Sequence, residues 1–310
     1  MTLAAVILLA AAMVTQAQQA PAQGQGAGGG AAAGRGAGGG GAAAAPPAIK
    51  QVKPGLYLVT GLGGNSTVRV TNDGIVVVDT KNLGEANYNQ LIDLIKTVSN
   101  QPVKYAVITH VHQDHSGNTD SFIKNGTQVV ASEELVKNLE TYTAPAGKPG
   151  KPNVTFAKDY SIKLGNTEVA HVYHFGAGHT SGDSMVYFPD LKVAAFGDAF
   201  ATGNMNCDYP MGGSLLEWGK SLDAALKLDF DTAIPGHGND PGTKADVQAA
   251  QKRFAAIAAA TLAEAKKGTA KEQFIANITA ADASLNVGQL LQNNQARIDL
   301  YYAEAMKAAK

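Results

Sequence analysis

Cysteine is all but missing from this sequence: Cys207 is the only one among 310 residues. One thiol cannot form an internal disulfide, and a metal cage built from thiolates is excluded. Such a residue reads as a small packed side chain rather than a nucleophile. An excess of charge is missing too, since 25 Lys and Arg face 26 Asp and Glu, for a formal net charge of −1. That balance excludes the electrostatic footprint of a nucleic-acid binder and any polybasic membrane patch. A long apolar run is also absent. The stretch Leu3 to Val14, LAAVILLAAAMV, is continuously apolar but falls short of the roughly 20 residues of a spanning helix. Small residues at Thr15 and Ala17 follow it, which predicts a secretory signal peptide over 1–22, although no Lys or Arg precedes the run. A periplasmic or secreted location is expected, with no stable membrane insertion once the signal is cleaved.

From Gln16 to Pro47 the chain holds only Gly, Ala, Gln, Pro and one Arg. Such a composition cannot offset the entropy of ordering, so residues 23–48 are expected to form a disordered linker. Patterned sequence begins near Ile49. Short β-rich runs at 56–60, 66–70 and 74–79 are separated by the glycine turns GLGG and NDG. Helical spacing follows over 85–99, with Tyr88, Leu91, Ile92, Ile95 and Val98 on one face. A strand over 104–110, a short helix after Gly117, a strand over 127–132 and a helix over 132–140 continue the alternation. The second half repeats the logic, with strands near 160–164, 167–175, 184–188 and 192–198. A helix over 214–228 follows, opened by a capping box of Ser214 and Glu217, and then a strand over 231–236. Beyond about Lys244 the pattern is helical. Strands then helix, twice over, predict an α/β (α+β) fold: a four-layer αβ/βα sandwich of two packed mixed β-sheets with outer helices. The expected domain covers 49–241, with a helical extension, 242–310, packed on it.

Chemistry concentrates in THVHQDHSGN, residues 109–118, which carries three of the seven histidines and an aspartate. If the strand runs to His110, alternation puts His110 and His112 on one side. Asp114 and His115 lie on the turn beyond and can aim elsewhere. Zinc usually takes four ligands, at roughly 2.0–2.1 Å for imidazole nitrogen. Four donors on one loop fit two ions better than one, with further ligands needed from elsewhere. Those appear as His179 in GAGHTSGD, Asp198 at the end of KVAAFGD, and His237 in IPGHG. Five histidines and two aspartates thus fall in turns at strand ends, where ligand sites of α/β folds gather. His171 and His174, three apart inside one strand, read as ordinary strand residues. Asp183 reads as a carboxylate that supports a ligating imidazole rather than as a ligand.

THVHQDHSGN followed by GAGHTSGD, FGDAF and IPGHG resembles the metallo-β-lactamase fold superfamily of zinc hydrolases, over about Val52 to Pro241. The resemblance implies that fold and two zinc ions per chain. His110, His112 and His179 would hold one; Asp114, His115 and His237 the other; Asp198 would bridge both, as in glyoxalase II-like members. It also implies metal-assisted hydrolysis by a metal-bridged hydroxide, with Asp114 as the catalytic residue that orients it and shuttles its proton. Cys207 matches no motif of the subclass that uses a cysteine ligand, and His112 stands where diiron flavoprotein relatives place Glu. Loops 61–66, 143–153 and 201–213 are expected to wall the pocket, with Asn204, Asn206 and Tyr209 donating hydrogen bonds to substrate.

The expected function is an exported metal-dependent hydrolase that opens a cyclic amide or ester, β-lactam- or lactone-like. Its partner is a small-molecule substrate, not nucleic acid. Competing readings are a thioester hydrolase of the glyoxalase II kind, a mononuclear iron dioxygenase using only His110, His179 and Asp198, and a non-catalytic metal-binding module. The export signal and the lack of basic helices after residue 242 weigh against the thioester. The filled ligand set weighs against the module, though a fold alone does not prove activity.

Overall fold

The computed structural model describes residues 46–144, 146–203 and 205–310. The expected signal peptide, all but the last three residues of the expected linker, and Asn204 lie outside the described residues. The first half contains β1 (Ala48–Lys53), β2 (Leu56–Thr60), β3 (Ser66–Thr71), β4 (Gly74–Val78), α1 (Glu85–Lys96), β5 (Val103–Val107), α2 (Gln113–Ser116), α3 (Thr119–Lys124), β6 (Gln128–Ser132), α4 (Glu133–Thr141) and β7 (Val154–Phe156). The second contains β8 (Asp159–Leu164), β9 (Thr167–Tyr173), β10 (Met185–Phe188), β11 (Val193–Ala195), α5 (Trp218–Ala225), β12 (Thr232–Ile234) and β13 (Gly242–Thr243). Four helices close the chain: α6 (Lys244–Lys266), α7 (Lys271–Ala281), α8 (Val287–Leu290) and α9 (Gln295–Ala308).

Continuous apolar strands such as GIVVV arise because both faces of each sheet are covered. Val76 and Val78 point into a core between the two sheets with Val107 and Val130. Their neighbours Ile75 and Val77 point the other way, into a core shared with Leu91 and Ile95 of α1 and Leu135 and Leu139 of α4. The second sheet does the same. Val186, Phe188, Val193 and Ile234 join the between-sheet core, whereas Met185, Ala194 and Ala233 pack with Trp218 of α5 and Phe254 of α6. Each such valine or leucine contributes roughly 1.5–3 kcal/mol of transfer free energy. The result is a four-layer sandwich of two mixed sheets, helices outside.

Topology decides where the chemistry sits. The first sheet runs β1 to β7 in order, and the second runs β13-β12-β11-β10-β9-β8. β4 and β5 are parallel neighbours in one sheet, β11 and β12 in the other. The carboxyl ends of each pair therefore open onto one edge of the sandwich. There the sheets are joined directly, since Ser184 N donates to Thr109 O at 2.7 Å and Asn65 N to Gly236 O at 2.7 Å.

Three local expectations need correction. The strand expected over 104–110 stops at Val107, because the Asp79 carboxylate takes both the backbone N and the hydroxyl of Thr109, each at 2.8 Å. His110 and His112 are thus loop residues, and strand alternation is not what aims them. The helix expected over 214–228 is confined to Trp218–Ala225. Ser214 Oγ does accept from Glu217 N at 3.1 Å, but the Glu217 carboxylate turns to Lys220 instead of capping back. A full box stands instead at the head of α6, where Thr243 and Asp246 cap each other. Strand β1 was not expected, since AIKQVK borders the Gly/Ala-rich stretch and carries little apolar alternation.

Candidate metal centre

Seven side chains converge on the open edge in two groups. His110, His112, His179 and Asp198 form one, and Asp114, His115 and His237 the other, with potential ligand atoms inside each group within 4.8 Å of one another. In the first group His179 Nε2 lies 2.9 Å from His112 Nδ1. Asp198 Oδ2 is 3.6 Å from His179 Nε2 and 3.9 Å from His110 Nε2. In the second, His237 Nε2 is 3.2 Å from both His115 Nε2 and Asp114 Oδ2. Asp198 spans the two, because its other oxygen, Oδ1, is 3.3 Å from His115 Nε2 and 3.5 Å from His237 Nε2.

These spacings are those of a ligand shell. Four donors at roughly 2.0–2.1 Å from a tetrahedral ion stand about 3.3–3.4 Å from each other. Two further observations fit a metal. Nε2 of His110 and Oδ1 of Asp198 are buried without a hydrogen-bond partner, a cost of roughly 1–3 kcal/mol each if nothing met them. The donor set itself, imidazole and carboxylate with no thiolate, suits zinc. Cys207 takes no part, being fully buried, with Sγ on Gly178 O and its pKa pushed well up by burial.

Four of the five imidazoles, those of His110, His112, His115 and His179, are held by the other nitrogen, which fixes the atom left for a metal. His115 Nδ1 donates to Asp79 Oδ2 at 2.7 Å. His179 Nδ1 donates to the carbonyl of Asn206 at 2.7 Å. His112 is reversed: its Nε2 donates to Asp208 Oδ2 at 2.7 Å, leaving Nδ1 to the cluster. His110 Nδ1 meets Thr109 Oγ1 at 3.1 Å. Glycine allows the close approach. A Cβ on Gly64 would fall 2.2 Å from the His115 ring, and one on Gly236 2.1 Å from Asp198 Oδ1.

Electrostatics divide the two groups. Burial, reinforced by the neighbouring imidazoles, holds His110 well below its usual pKa and brings His179 down to about 4. Burial would also lower His115 and His237, but surrounding carboxylates overcome it. Asp198, Asp114 and Asp79 raise His115 well above the usual value, and the nearby carboxylates of Asp114 and Asp198 bring His237 to about 9. Against the opposing effect of burial, the same imidazoles hold Asp114 and Asp198 well below the carboxylate range. Exposure is unequal as well: His237 is 43% and Asp114 31% exposed, against 1% for His110 and His179. A small molecule therefore meets the Asp114 and His237 side first.

The remaining sequence-derived candidates lie elsewhere. Tyr209 is buried, its hydroxyl donating to Glu304 at 2.6 Å and accepting from Leu215 N. Asn206 turns its side-chain oxygen to Arg297 and its carbonyl to His179. Both are committed within the protein, because residues 206–209 are tied to Arg297 and Glu304 of the C-terminal helices. Asp183 stands in the turn that carries His179, accepting from Thr180 N at 3.0 Å and from its hydroxyl at 2.6 Å. His171 pairs with Glu168, and His174 with the Asp183 carbonyl. Sequence reasoning overlooked Asp79, Asp208, Lys81 and Arg297. Only Asp79 left a signal, a carboxylate directly after the apolar strand β4 that parallels Asp198 after β11. Asp208 sits in a loop of no distinctive pattern.

Comparisons with known proteins agree with this geometry. A family model described as the metallo-beta-lactamase superfamily matches residues 59–237. The metallo-beta-lactamase type 2 of Elizabethkingia meningoseptica is 29% identical over 164 residues, covering 50% of this chain and 63% of the relative. The metallo-beta-lactamase IND-1 of Chryseobacterium indologenes is 30% identical over 182 residues, covering 56% and 71%. A relative with a different title, the 2,4-dinitroanisole O-demethylase subunit alpha of a Nocardioides strain, is 25% identical over 44% of this chain and 41% of its own. Among solved structures, a metallo-beta-lactamase from Pontibacter korlensis superposes with a TM-score of 0.59 at 24% identity, covering 67% of this chain and 99% of its own. The enzyme FIM-1 of Pseudomonas aeruginosa, in a mono-zinc form, gives 0.57 at 17% identity, covering 67% and 94%.

Proposed function

The chain belongs to the metallo-β-lactamase superfamily, and from that premise we propose that it is an exported dinuclear zinc hydrolase acting on a cyclic amide or ester, β-lactam- or lactone-like. The observation that carries this reading is Asp198, whose two oxygens face the two groups of imidazoles separately. A carboxylate so placed would be able to serve two ions, and the second group of Asp114, His115 and His237 would have no role in a mononuclear dioxygenase. Zinc bound here would supply Lewis acidity and lower the pKa of a coordinated water from 15.7 to about 7.

The chain's own residues do the rest. Asp79, Asn206 and Asp208 lock the imidazole tautomers before substrate arrives, so little reorganisation is left to the reaction. Asp114 lies at the solvent side and is held anionic by His115 and His237, even though burial opposes this. An ionised carboxylate of lowered pKa is a weak base, which accepts a hydrogen bond from water without retaining a proton. Its Oδ2 therefore orients the attacking water and relays a proton to the leaving group rather than keeping it. The two metallo-β-lactamase relatives favour a cyclic amide over a thioester. Location outside the cytoplasm, from the expected signal peptide, favours it too; among the described residues no helix is long and apolar enough to cross a membrane.

Elemental analysis of the purified chain, paired with a hydrolysis screen, tests the proposal. About two zinc ions per chain are expected, with turnover of a β-lactam or lactone ahead of thioester and phosphodiester probes. A single iron, or turnover of thioester alone, would overturn it. Asp114→Asn should lower kcat by about 10²–10⁴-fold with folding intact, and wild-type turnover in that variant removes Asp114 from the reaction.

A further inference from the structure

The holders of two of the clustered histidines stand two residues apart in sequence. The Asn206 carbonyl holds His179 and the Asp208 carboxylate holds His112, so both depend on how residues 206–208 are set. That segment has no regular structure of its own and reaches its position through the C-terminal helices. Arg297, in the first turn of α9, donates from Nη1 to Asn206 Oδ1 at 3.1 Å and to Cys207 O at 3.2 Å. Its Nη2 lies 3.3 Å from Asp208 Oδ1, and both side chains are nearly buried, at 14% and 11% exposure. Two more ties reinforce the contact. Cys207 N donates to Leu290 O at the end of α8. Glu304 of α9 accepts from Tyr209 and Ser214 at 2.6 and 2.5 Å.

We infer that Arg297 is a positioning residue for the metal centre, and that the C-terminal helices act as a brace fixing His112 and His179 through residues 206–208. An arginine in the first turn of a helix opposes the helix dipole. Its place there is explained by what it reaches. The guanidinium is the one group that can meet a side-chain amide, a backbone carbonyl and a carboxylate from one fork. With it removed, Asp208 loses its guanidinium partner and keeps the hydrogen bond from His112, and Asn206 loses the bond that sets its side chain. Both imidazoles then gain freedom, and the first group loses preorganisation while Asp114, His115 and His237 keep theirs.

The inference rests on the reading that these side chains hold metal, and one titration separates the two. Zinc affinity is measured by chelator competition on the full chain for wild type, Arg297→Met, Arg297→Lys and the control Lys271→Ala, which removes an exposed ion pair to Asp299 of the same helix. Circular dichroism monitors folding. Removing a direct holder of a metal ligand typically weakens binding by about 10–100-fold. Acting one link further out, Arg297→Met should weaken one of the two ions by about tenfold and leave the other unchanged. Arg297→Lys should restore part of the loss, and Lys271→Ala should bind as wild type. A folded Arg297→Met that binds both ions with wild-type affinity overturns the inference. So does equal weakening by Lys271→Ala, which would make the effect one of helix docking in general. If Arg297→Met does not fold, half-buried Asn206→Ala decides, since it cuts one arm of the fork and leaves the carbonyl on His179; unchanged zinc affinity there overturns the inference. A wild-type chain that binds no zinc overturns the metal reading itself.

Discussion

Lys81 is the costliest single residue near the centre. It is fully buried and has φ of 68°, a left-handed conformation that a side-chain-bearing residue adopts at a price. Burial lowers its pKa to about 7, although Asp79 and Asp114 act in the opposite direction. Its Nζ donates to Val59 O at 2.8 Å and Gly64 O at 2.7 Å. Two acceptors match the two protons of a neutral amine, so the uncharged form is fully satisfied. In doing so Lys81 ties down the loop whose Gly64 lies against the His115 ring. The folded pKa is depressed below the unfolded 10.5, so the unfolded chain binds more protons between pH 7 and 10.5, and stability rises with pH across that window. The contribution is complete above 10.5 and is lost as pH falls through about 7. Urea unfolding of wild type and Lys81→Met at pH 7, 8 and 9 should show wild type gaining up to about 1.4 kcal/mol per pH unit relative to the variant. Parallel curves would mean that Lys81 stays charged when folded.

Among the elements, α6 shows how local and distant signals combine. Thr243 and Asp246 define its start by the box that satisfies free backbone N–H groups, and Thr243→Ala should cost about 1 kcal/mol. Its anchoring is tertiary. Phe254 stacks on Trp218 of α5 with ring centroids 4.1 Å apart, and Trp218 donates to Ala199 O beside Asp198. Phe254→Ala should therefore cost about 3–5 kcal/mol, well beyond the cap variant, when both are compared in one denaturant series. Equal losses would show that α6 is held by its cap and not by its packing. The strand ends show the opposite balance. The sequence pattern carries β5 through His110, whereas the chain leaves the sheet at Val107 because Asp79, just past the neighbouring strand β4, competes for the Thr109 amide. No pattern inside residues 104–110 contains that competitor.

At the scale of the whole molecule, the centre joins the two sheets. Asp79, His110, His112, Asp114 and His115 come from the segments that follow β4 and β5 of the first sheet, and His179, Asp198 and His237 from those that follow β9, β11 and β12 of the second. Any ion bound by both sets links the halves and binds only the folded chain. Free metal at a thousand times its dissociation constant then adds about 4 kcal/mol by mass action. Stripping metal with a chelator should lower the melting temperature reversibly, and added zinc should raise it with metal concentration. An unchanged melting temperature would mean that no ion spans the sheets.

The sequence by itself determined the layers, through strands apolar on both faces, and pointed to the histidines and aspartates that gather at the candidate centre, through their placement in glycine turns at strand ends. Those features are local, since a ligand must have the right donor chemistry and a turn must have the right backbone. Only the tertiary structure decided which imidazole nitrogen faces the centre, that Asp198 looks both ways, and that Tyr209 and Asn206 face inward. It also decided that Arg297 on the last helix reaches the residues holding His112 and His179. Such holders are carbonyls and carboxylates that any loop can supply. Which of them arrive is settled by segments far apart in the chain packing together, and no short stretch of sequence records that.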